Sequence, residues 1–120
     1  MKNIVILQAR NASTRLPNKV MQKIEGVPMI EIILNRIKES KEVDQIVIAT
    51  TKNDKDDSLV EYIEDLGYRT FRGSEINVLD RYYKSAKQFK GDTIIRLTAD
   101  CPLLDYRLID ALIAEYKLSN

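Results

Sequence analysis

Short apolar runs alternate along this chain with longer stretches in which apolar residues recur every three or four positions. Four runs, at 3 to 9, 45 to 50, 68 to 72 and 93 to 97, are rich in β-branched residues and predict strands. The stretches that follow each run predict four amphipathic helices. Strands that alternate with helices are typical of repeated βαβ units, so the pattern predicts an α/β fold with a three-layer, doubly wound, mainly parallel sheet.

The predicted helices have recognisable ends. The first should begin near Pro28, a residue that suits the first turn of a helix, and the second should stop at Gly67. Gly91 is expected to close the third helix, and Asp105 to cap the start of the fourth. The residues at helical spacing are Ile30, Ile33, Leu34 and Ile37, then Leu59, Ile63 and Leu66, then Leu79, Tyr82, Tyr83, Ala86 and Phe89, and last Leu108, Ile109, Leu112 and Tyr116.

The whole chain, residues 1–120, is predicted to form one domain. Its 120 residues are 44% hydrophobic, which allows one sizeable core, and no linker, repeat or low-complexity tract divides it. If the strands follow the order 3-2-1-4 of doubly wound sheets, the loops after the first and fourth strands meet at the switch point where such sheets bind ligands.

Charge is distributed unevenly along the chain. Its 19 basic and 18 acidic residues nearly cancel, but the first 24 residues contain five basic residues and no acidic one. Such a local excess favours one anionic ligand over a nucleic-acid surface. Tyr82 and Tyr83 lie in a helical pattern rather than among cations, so no nucleic-acid partner is expected.

Composition excludes several kinds of site and location. With one cysteine and no histidine, the chain can form neither an internal disulfide nor a serine-histidine or cysteine-histidine catalytic pair. No run is long enough for a transmembrane helix, and the start lacks the pattern of a signal peptide. We therefore expect a cytoplasmic protein without a membrane partner.

The cations that follow the first strand suit a polyphosphate. Arg10, Arg15 and Lys19 lie in the segment QARNASTRLPNK, where guanidinium groups can bind phosphate oxygens in pairs and a lysine adds a compact charge. The segment contains no glycine, and neither common glycine-rich nucleotide motif is present, so side chains must do the binding. The alternative is that these cations only solvate the loop.

Two segments resemble one enzyme family. The pattern QARxxSTRLPxK near the start and RLTADCPLLD at 96 to 105, with RGSEINVLDRYYKSA between them, are similar to the cytidylyltransferases that activate acidic sugars, and most of all to their spore coat polysaccharide biosynthesis protein F branch. The resemblance implies a fold like that of nucleotide-diphospho-sugar transferases. It covers only the amino-terminal part of the family's pattern, so the chain would be an incomplete version of the full domain.

The resemblance also implies roles for individual residues. Asp100 would hold Mg²⁺, since one carboxylate with phosphate oxygens and water is a common magnesium site. Arg15, Lys19 and Asp100 are the expected catalytic residues. The residues expected to bind CTP, or another nucleoside triphosphate, are Ala9, Arg10, Ser13, Arg15, Lys19, Thr50, Gly73 and Ser74.

Several of these residues also have an ordinary structural interpretation. Ser13 could bond the loop backbone, Thr50 could simply end a strand, and Asp100 could be a turn residue before a proline. Asp80 and Arg81 lie on a predicted helix, where charged residues usually face solvent.

The sequence thus predicts a nucleotidyltransferase of polysaccharide or glycan biosynthesis, which would activate an acidic or modified sugar with CTP and release pyrophosphate. Two alternatives stay open. One is a nucleotide-binding fragment or subunit without turnover of its own. The other is a glycosyltransferase that consumes a sugar nucleotide, although its usual acid pair is absent from Asp100-Cys101-Pro102. The sequence also allows a homodimer.

Overall fold

The computed structural model describes residues 2–10, 21–98 and the positions 107, 110 and 111. None of the helices in this part of the chain has the length and hydropathy needed to cross a membrane. In chain order the elements are β1 (Asn3–Gln8), β2 (Lys23–Ile24), β3 (Val27–Pro28), α1 (Met29–Lys38), β4 (Gln45–Thr51), a 3-10 turn (Asp54–Asp56), α2 (Asp57–Asp65), β5 (Arg69–Gly73), α3 (Val78–Phe89) and β6 (Thr93–Thr98).

Four parallel strands form one sheet in the order β5-β4-β1-β6. Counted among these four strands alone, the order is 3-2-1-4, as expected for a doubly wound sheet. Each predicted strand is present, with bounds within one residue of those expected. The predicted α/β architecture is therefore confirmed.

The apolar run of β1 is buried because helices cover both faces of the sheet. Ile4 and Ile6 face α3, whereas Val5 and Leu7 face α1 and α2, and all four are fully buried. A strand covered on both sides needs apolar residues at consecutive positions rather than alternate ones. Burying one such side chain contributes about 1.5–3 kcal/mol. Because β1 buries two side chains on each face, it packs against both helical layers and joins the three layers of the fold.

The first two helices largely agree with their predicted faces. α1 follows Pro28 directly, and its predicted apolar residues are buried. α2 ends before Gly67, whose φ of +96° is one that glycine adopts readily. Leu66 was expected on the buried face but is 39% exposed, because the helix ends one residue before it.

α3 turns only part of its predicted apolar face to the sheet: Tyr82, Ala86 and Phe89 pack in the core as expected. Leu79 and Tyr83 are exposed, whereas Arg81 and Ser85 accompany Tyr82 on the buried face. The periodicity was misleading because apolar residues occupy two faces of this helix, and only one of them meets the sheet.

Gly91 has a different role from the predicted one. Lys90, not Gly91, takes the left-handed conformation after α3, with a φ of 52°. Gly91 instead provides space, since a Cβ there would lie 2.7 Å from Cδ1 of Ile94 and 2.8 Å from Cδ1 of Ile4. The backbone therefore passes close over the core at the amino end of β1.

A hairpin of β2 and β3 was not expected from the sequence. Glu25 and Gly26 form its turn with φ values of 52° and 84°, as in the two-residue turns that match the twist of a hairpin. The strands have two residues each, too few to show an alternating pattern. The amide of Met29 donates to the carbonyl of Gln22 at 2.8 Å, so the hairpin leads directly into α1.

Asp110 is one of three described residues of the predicted fourth helix, and it is helical. Its carboxylate accepts hydrogen bonds from the Ser40 hydroxyl, from the Lys41 amide at 3.4 Å and from the Glu42 amide at 3.2 Å. Burial acts to raise the pKa of Asp110, but these hydrogen bonds outweigh burial and lower the pKa. The contacts attach this helix to the segment after α1.

We predict that Asp110→Asn lowers the free energy of unfolding by about 1–2 kcal/mol at neutral pH, because it weakens hydrogen bonds to a charged acceptor. Since the pKa is lower in the folded state, this contribution is complete above the unfolded pKa and is lost as the pH falls through the folded pKa. Urea unfolding at about pH 7 and about pH 3 measures it. Glu61→Gln, on the exposed side of α2, is the control; an equal difference at both pH values would contradict the prediction.

Candidate functional site

The carboxyl ends of the four parallel strands meet at one edge of the sheet, so the loops that follow them are neighbours. β1 and β6 pair in register up to Gln8 and Thr98, and both sequence motifs continue directly beyond these residues. β1 also has β4 on one side and β6 on the other. The candidate site therefore lies at the switch point of the sheet.

The structure brings five of the predicted nucleotide-binding residues to this edge. Ala9 and Arg10 follow β1, Thr50 lies near the end of β4, Gly73 ends β5 and Ser74 follows it. The other predicted site residues lie outside the described part of the chain, and their roles stay predictions: Ser13, Arg15, Lys19 and Asp100.

Ala9 continues the sheet beyond β1. Its amide donates to the carbonyl of Ala49 at 3.1 Å, and the residue is 3% exposed. Because this amide already bonds to the sheet, the carbonyl is the backbone group of Ala9 that could bond a base. Arg10, the next residue, is exposed at the same edge.

Two threonines end β4 and face opposite sides of the sheet. Thr50 is fully buried, and its hydroxyl has no hydrogen-bond partner among the described residues. Thr51 is buried as well; its hydroxyl donates to the Asp56 carboxylate and accepts from the Asn53 amide at 3.1 Å. Thr51 thus shapes the loop after β4, while contact between Thr50 and a base stays a prediction.

Arg72 connects β5 to the loop after β4, a role that the sequence analysis missed. Its Nε and Nη2 donate to the carbonyls of Thr51 and Asn53, both at 2.8 Å, and its Nη1 lies 2.7 Å from Oδ1 of Asp57. The Asn53 side chain also donates to the Glu75 carboxylate at 3.1 Å. These contacts join the loops after β4 and β5. An arginine in an edge strand has no characteristic spacing that could have indicated this role.

Arg81 is buried, although a solvent-facing position was expected. It is 1% exposed, and its Nη1 donates to the carbonyl of Ser74 at 2.9 Å. Gly73 makes this possible, because a Cβ there would lie 3.1 Å from Cγ of Arg81 and 2.9 Å from Cε1 of Phe71. The expectation was therefore wrong for Arg81: the missing side chain of Gly73 lets the arginine pass over the end of β5.

The surroundings of Arg81 disfavour its charge. Burial lowers the pKa of its guanidinium and the charge of Arg10 lowers it further, while Tyr82, Asp56 and Glu75 act in the opposite direction. An arginine nevertheless stays protonated in proteins. The carboxyl edge of the sheet thus contains a destabilised cation, which a bound anion would stabilise.

Ser74 is held through both of its oxygens. Its carbonyl accepts from Arg81, and its hydroxyl accepts from the Asn77 amide at 3.0 Å. The Asn77 side chain in turn caps α3 by accepting from the Asp80 amide at 3.0 Å. The segment between β5 and α3 is therefore shaped by its own hydrogen bonds, and binding of a nucleotide by Ser74 stays a prediction.

Tyr82 joins α3 to β6. Its hydroxyl donates to the carbonyl of Leu97 at 2.9 Å, and Cζ of Arg96 lies 4.4 Å from the centre of its ring, within range of a cation–π interaction. Burial raises the pKa of Tyr82, and the hydrogen bond and charge of Arg96 oppose this shift. The motif that contains Asp100 begins in β6. α3 therefore contacts the candidate site at two places: Arg81 bonds the segment after β5, and Tyr82 bonds the end of β6.

A family model described as cytidylyltransferase matches residues 4–120. The chain belongs to the cytidylyltransferase family. This result confirms the resemblance seen in the two motifs, and it agrees with the parallel sheet and its switch point.

Individual members of the family resemble this chain along most of its length. The spore coat polysaccharide biosynthesis protein SpsF of Bacillus subtilis is 41% identical over 114 residues, 92% of this chain and 48% of that protein. A 3-deoxy-manno-octulosonate cytidylyltransferase of Hydrogenovibrio crunogenus is 31% identical over 126 residues, 100% of this chain and 49% of that protein. The solved structure of a cytidylyltransferase from Leptospira borgpetersenii matches with a TM-score of 0.90 and 36% identity, covering 96% of this chain and 48% of that one. The chain spans about half the length of the curated relatives it matches.

We predict that Gly73→Ala lowers stability by about 1–3 kcal/mol through overpacking, because the added methyl group displaces Arg81 or Phe71, and that it weakens binding of the nucleotide that the sequence predicts for this edge, with magnesium-CTP as the probe. Thermal melting and calorimetric titration measure the two effects. Gly91→Ala is the matched control, since it crowds the core at the opposite edge of the sheet. It should destabilise the fold and leave the affinity unchanged; equal affinity losses in both variants would contradict a specific role for Gly73.

Proposed function

We propose that this chain forms the nucleotide site of a cytidylyltransferase that activates an acidic or otherwise modified sugar with CTP. The main observation behind the proposal is that the two motifs begin in the last residues of β1 and β6, which pair in register up to Gln8 and Thr98 at the switch point. Membership of the cytidylyltransferase family supports CTP as the nucleotide. The sugar class is supported by relatives named for spore coat polysaccharide and for 3-deoxy-manno-octulosonate.

In the proposed reaction, a hydroxyl oxygen of the sugar attacks the α-phosphorus of CTP. A new phosphorus–oxygen bond joins the sugar to CMP, the bond to the β-phosphate oxygen breaks, and pyrophosphate leaves with the electron pair while the hydroxyl proton passes to a base. The protein would hold the triphosphate in line with the hydroxyl and offset the charge that develops on the leaving group.

Arg10, Arg15 and Lys19 are the proposed phosphate ligands. Arg10 supports this assignment, because it is exposed directly after β1 at the carboxyl edge of the sheet. Guanidinium groups bind phosphate oxygens in pairs, and lysine adds a compact charge. Together these cations would offset most of the charge of a triphosphate.

Asp100 is the proposed ligand of Mg²⁺. β6 ends at Thr98, in register with Gln8, so the chain leading to Asp100 begins level with the basic segment. A single carboxylate that shares the ion with phosphate oxygens and water is a common magnesium site. The bound ion would neutralise phosphate charge.

We predict that Arg15→Ala weakens binding of magnesium-CTP by about ten- to a hundredfold, the effect of losing a hydrogen bond to a charged group. Calorimetric titration with and without magnesium measures the change. Arg69→Ala is the control, because Arg69 is exposed at the amino end of β5 and its loss removes the same charge far from the site. Equal affinity of wild type and Arg15→Ala would remove the basic segment from the site, and no binding by wild type at millimolar CTP would overturn the proposed function.

Nucleotide binding without turnover is the second candidate function for this chain by itself. It is favoured by the chain's coverage of 48% and 49% of two relatives, since catalysis also requires that the sugar hydroxyl be held in line with the leaving group. We therefore predict little or no pyrophosphate release at CTP concentrations that saturate binding. A pyrophosphate assay with a panel of acidic sugars checks this, and robust turnover would mean that the sugar site lies within these residues.

A further inference from the structure

The guanidinium of Arg81 is buried with few partners among the described residues. Among the described residues this guanidinium makes one hydrogen bond, to the Ser74 carbonyl, and its Nε has no partner. The ion pairs found in that part of the chain do not include it. Removing a charge from water without a close counter-ion is unfavourable. An uncharged side chain of similar volume would therefore suit the folded state at least as well.

The neighbouring acids offset this charge only in part. Asp56 and Glu75 act favourably on Arg81, but burial and the charge of Arg10 outweigh them. Arg10 acts against Arg81 from the same edge of the sheet. Two cations, one exposed and one buried, thus lie at the carboxyl edge of the sheet, where the proposed triphosphate would bind.

We propose that Arg81 is a positioning residue of the nucleotide site, an inference that rests on the proposed function. Its hydrogen bond holds the Ser74 carbonyl and thereby the segment after β5, and its buried charge forms with Arg10 a positive field that a polyphosphate compensates. A buried charge is screened less by water and salt than an exposed one, so it acts over a longer distance. Arg81 therefore favours ligands according to the number of phosphates they carry.

Arg81→Met tests this, because it removes the charge and keeps most of the volume. Without nucleotide, the variant should melt at the same temperature as wild type or higher. In calorimetric titrations with the magnesium complexes of CMP, CDP and CTP, its affinity loss should grow along the series and reach about tenfold for CTP. Arg81→Lys, which keeps the charge, should keep the dependence on phosphate number.

Two further variants make the result specific. Arg69→Met removes an exposed charge at the amino end of β5, and it should leave the whole affinity series unchanged. Arg81→Gln keeps a donor for the Ser74 carbonyl without the charge, so the series can be measured even if the methionine variant folds poorly. The glutamine variant should show the same growing loss of affinity.

The possible outcomes separate the two proposals. An affinity loss equal for CMP, CDP and CTP would overturn the role of Arg81, since a purely structural role weakens all three alike. A lower melting temperature with unchanged CTP affinity would overturn it as well. Absence of CTP binding by wild type, seen in the same titrations before any variant is compared, would instead overturn the proposed function.

Discussion

Burial of β1 between two layers of helices is the constraint on which the rest of this structure depends. Its residues are apolar on both faces because α1 and α2 cover one face and α3 covers the other. At the amino end of β1, Asn3 is bonded to the segment that leads into β4. Its amide donates to the Asp44 carboxylate at 2.7 Å, and its side chain donates to the Glu42 carbonyl at 2.8 Å. Since β1 is parallel to both neighbours, the carboxyl ends of all three strands lie at the same edge of the sheet. The polar loops that follow these strands are therefore adjacent.

The two helical layers differ in what they bury near that edge. The layer of α1 and α2 packs an apolar cluster, whereas α3 brings the polar side chains of Arg81 and Ser85 under the sheet. Several buried side-chain atoms near this edge have no hydrogen-bond partner among the described residues; they include Nε of Arg81, Oγ of Ser85, and Nε2 and Oε1 of Gln8 at the end of β1. Unpaired polar groups cost stability, and proteins commonly retain such costs where a site needs them.

The loops after β4 and β5 are held in place before any ligand arrives. Arg72 bonds the backbone of one loop, Asn53 connects it to Glu75 in the other, and Ser74 is bonded through both its oxygens. Loops that are already ordered lose less conformational entropy when they bind a ligand. This arrangement suits the proposed nucleotide site, because a site whose loops are already positioned holds its ligand in a defined geometry.

The sequence by itself determined the α/β class, the four strands to within a residue, the start of α1 at Pro28 and the family to which the chain belongs. These features follow from local signals in the sequence. The spacing of apolar residues indicates strands and helices, and the polar residues of the two motifs indicate the family. The strand order agreed with the general rule for doubly wound sheets, not with anything in the periodicity itself. Only the tertiary structure decided which face of α3 is buried, that Arg81 lies inside and that Arg72 connects two loops. The burial of a charged residue depends on space and on hydrogen-bond acceptors supplied from outside its own helix; for Arg81 these are the missing side chain of Gly73 and the carbonyl of Ser74.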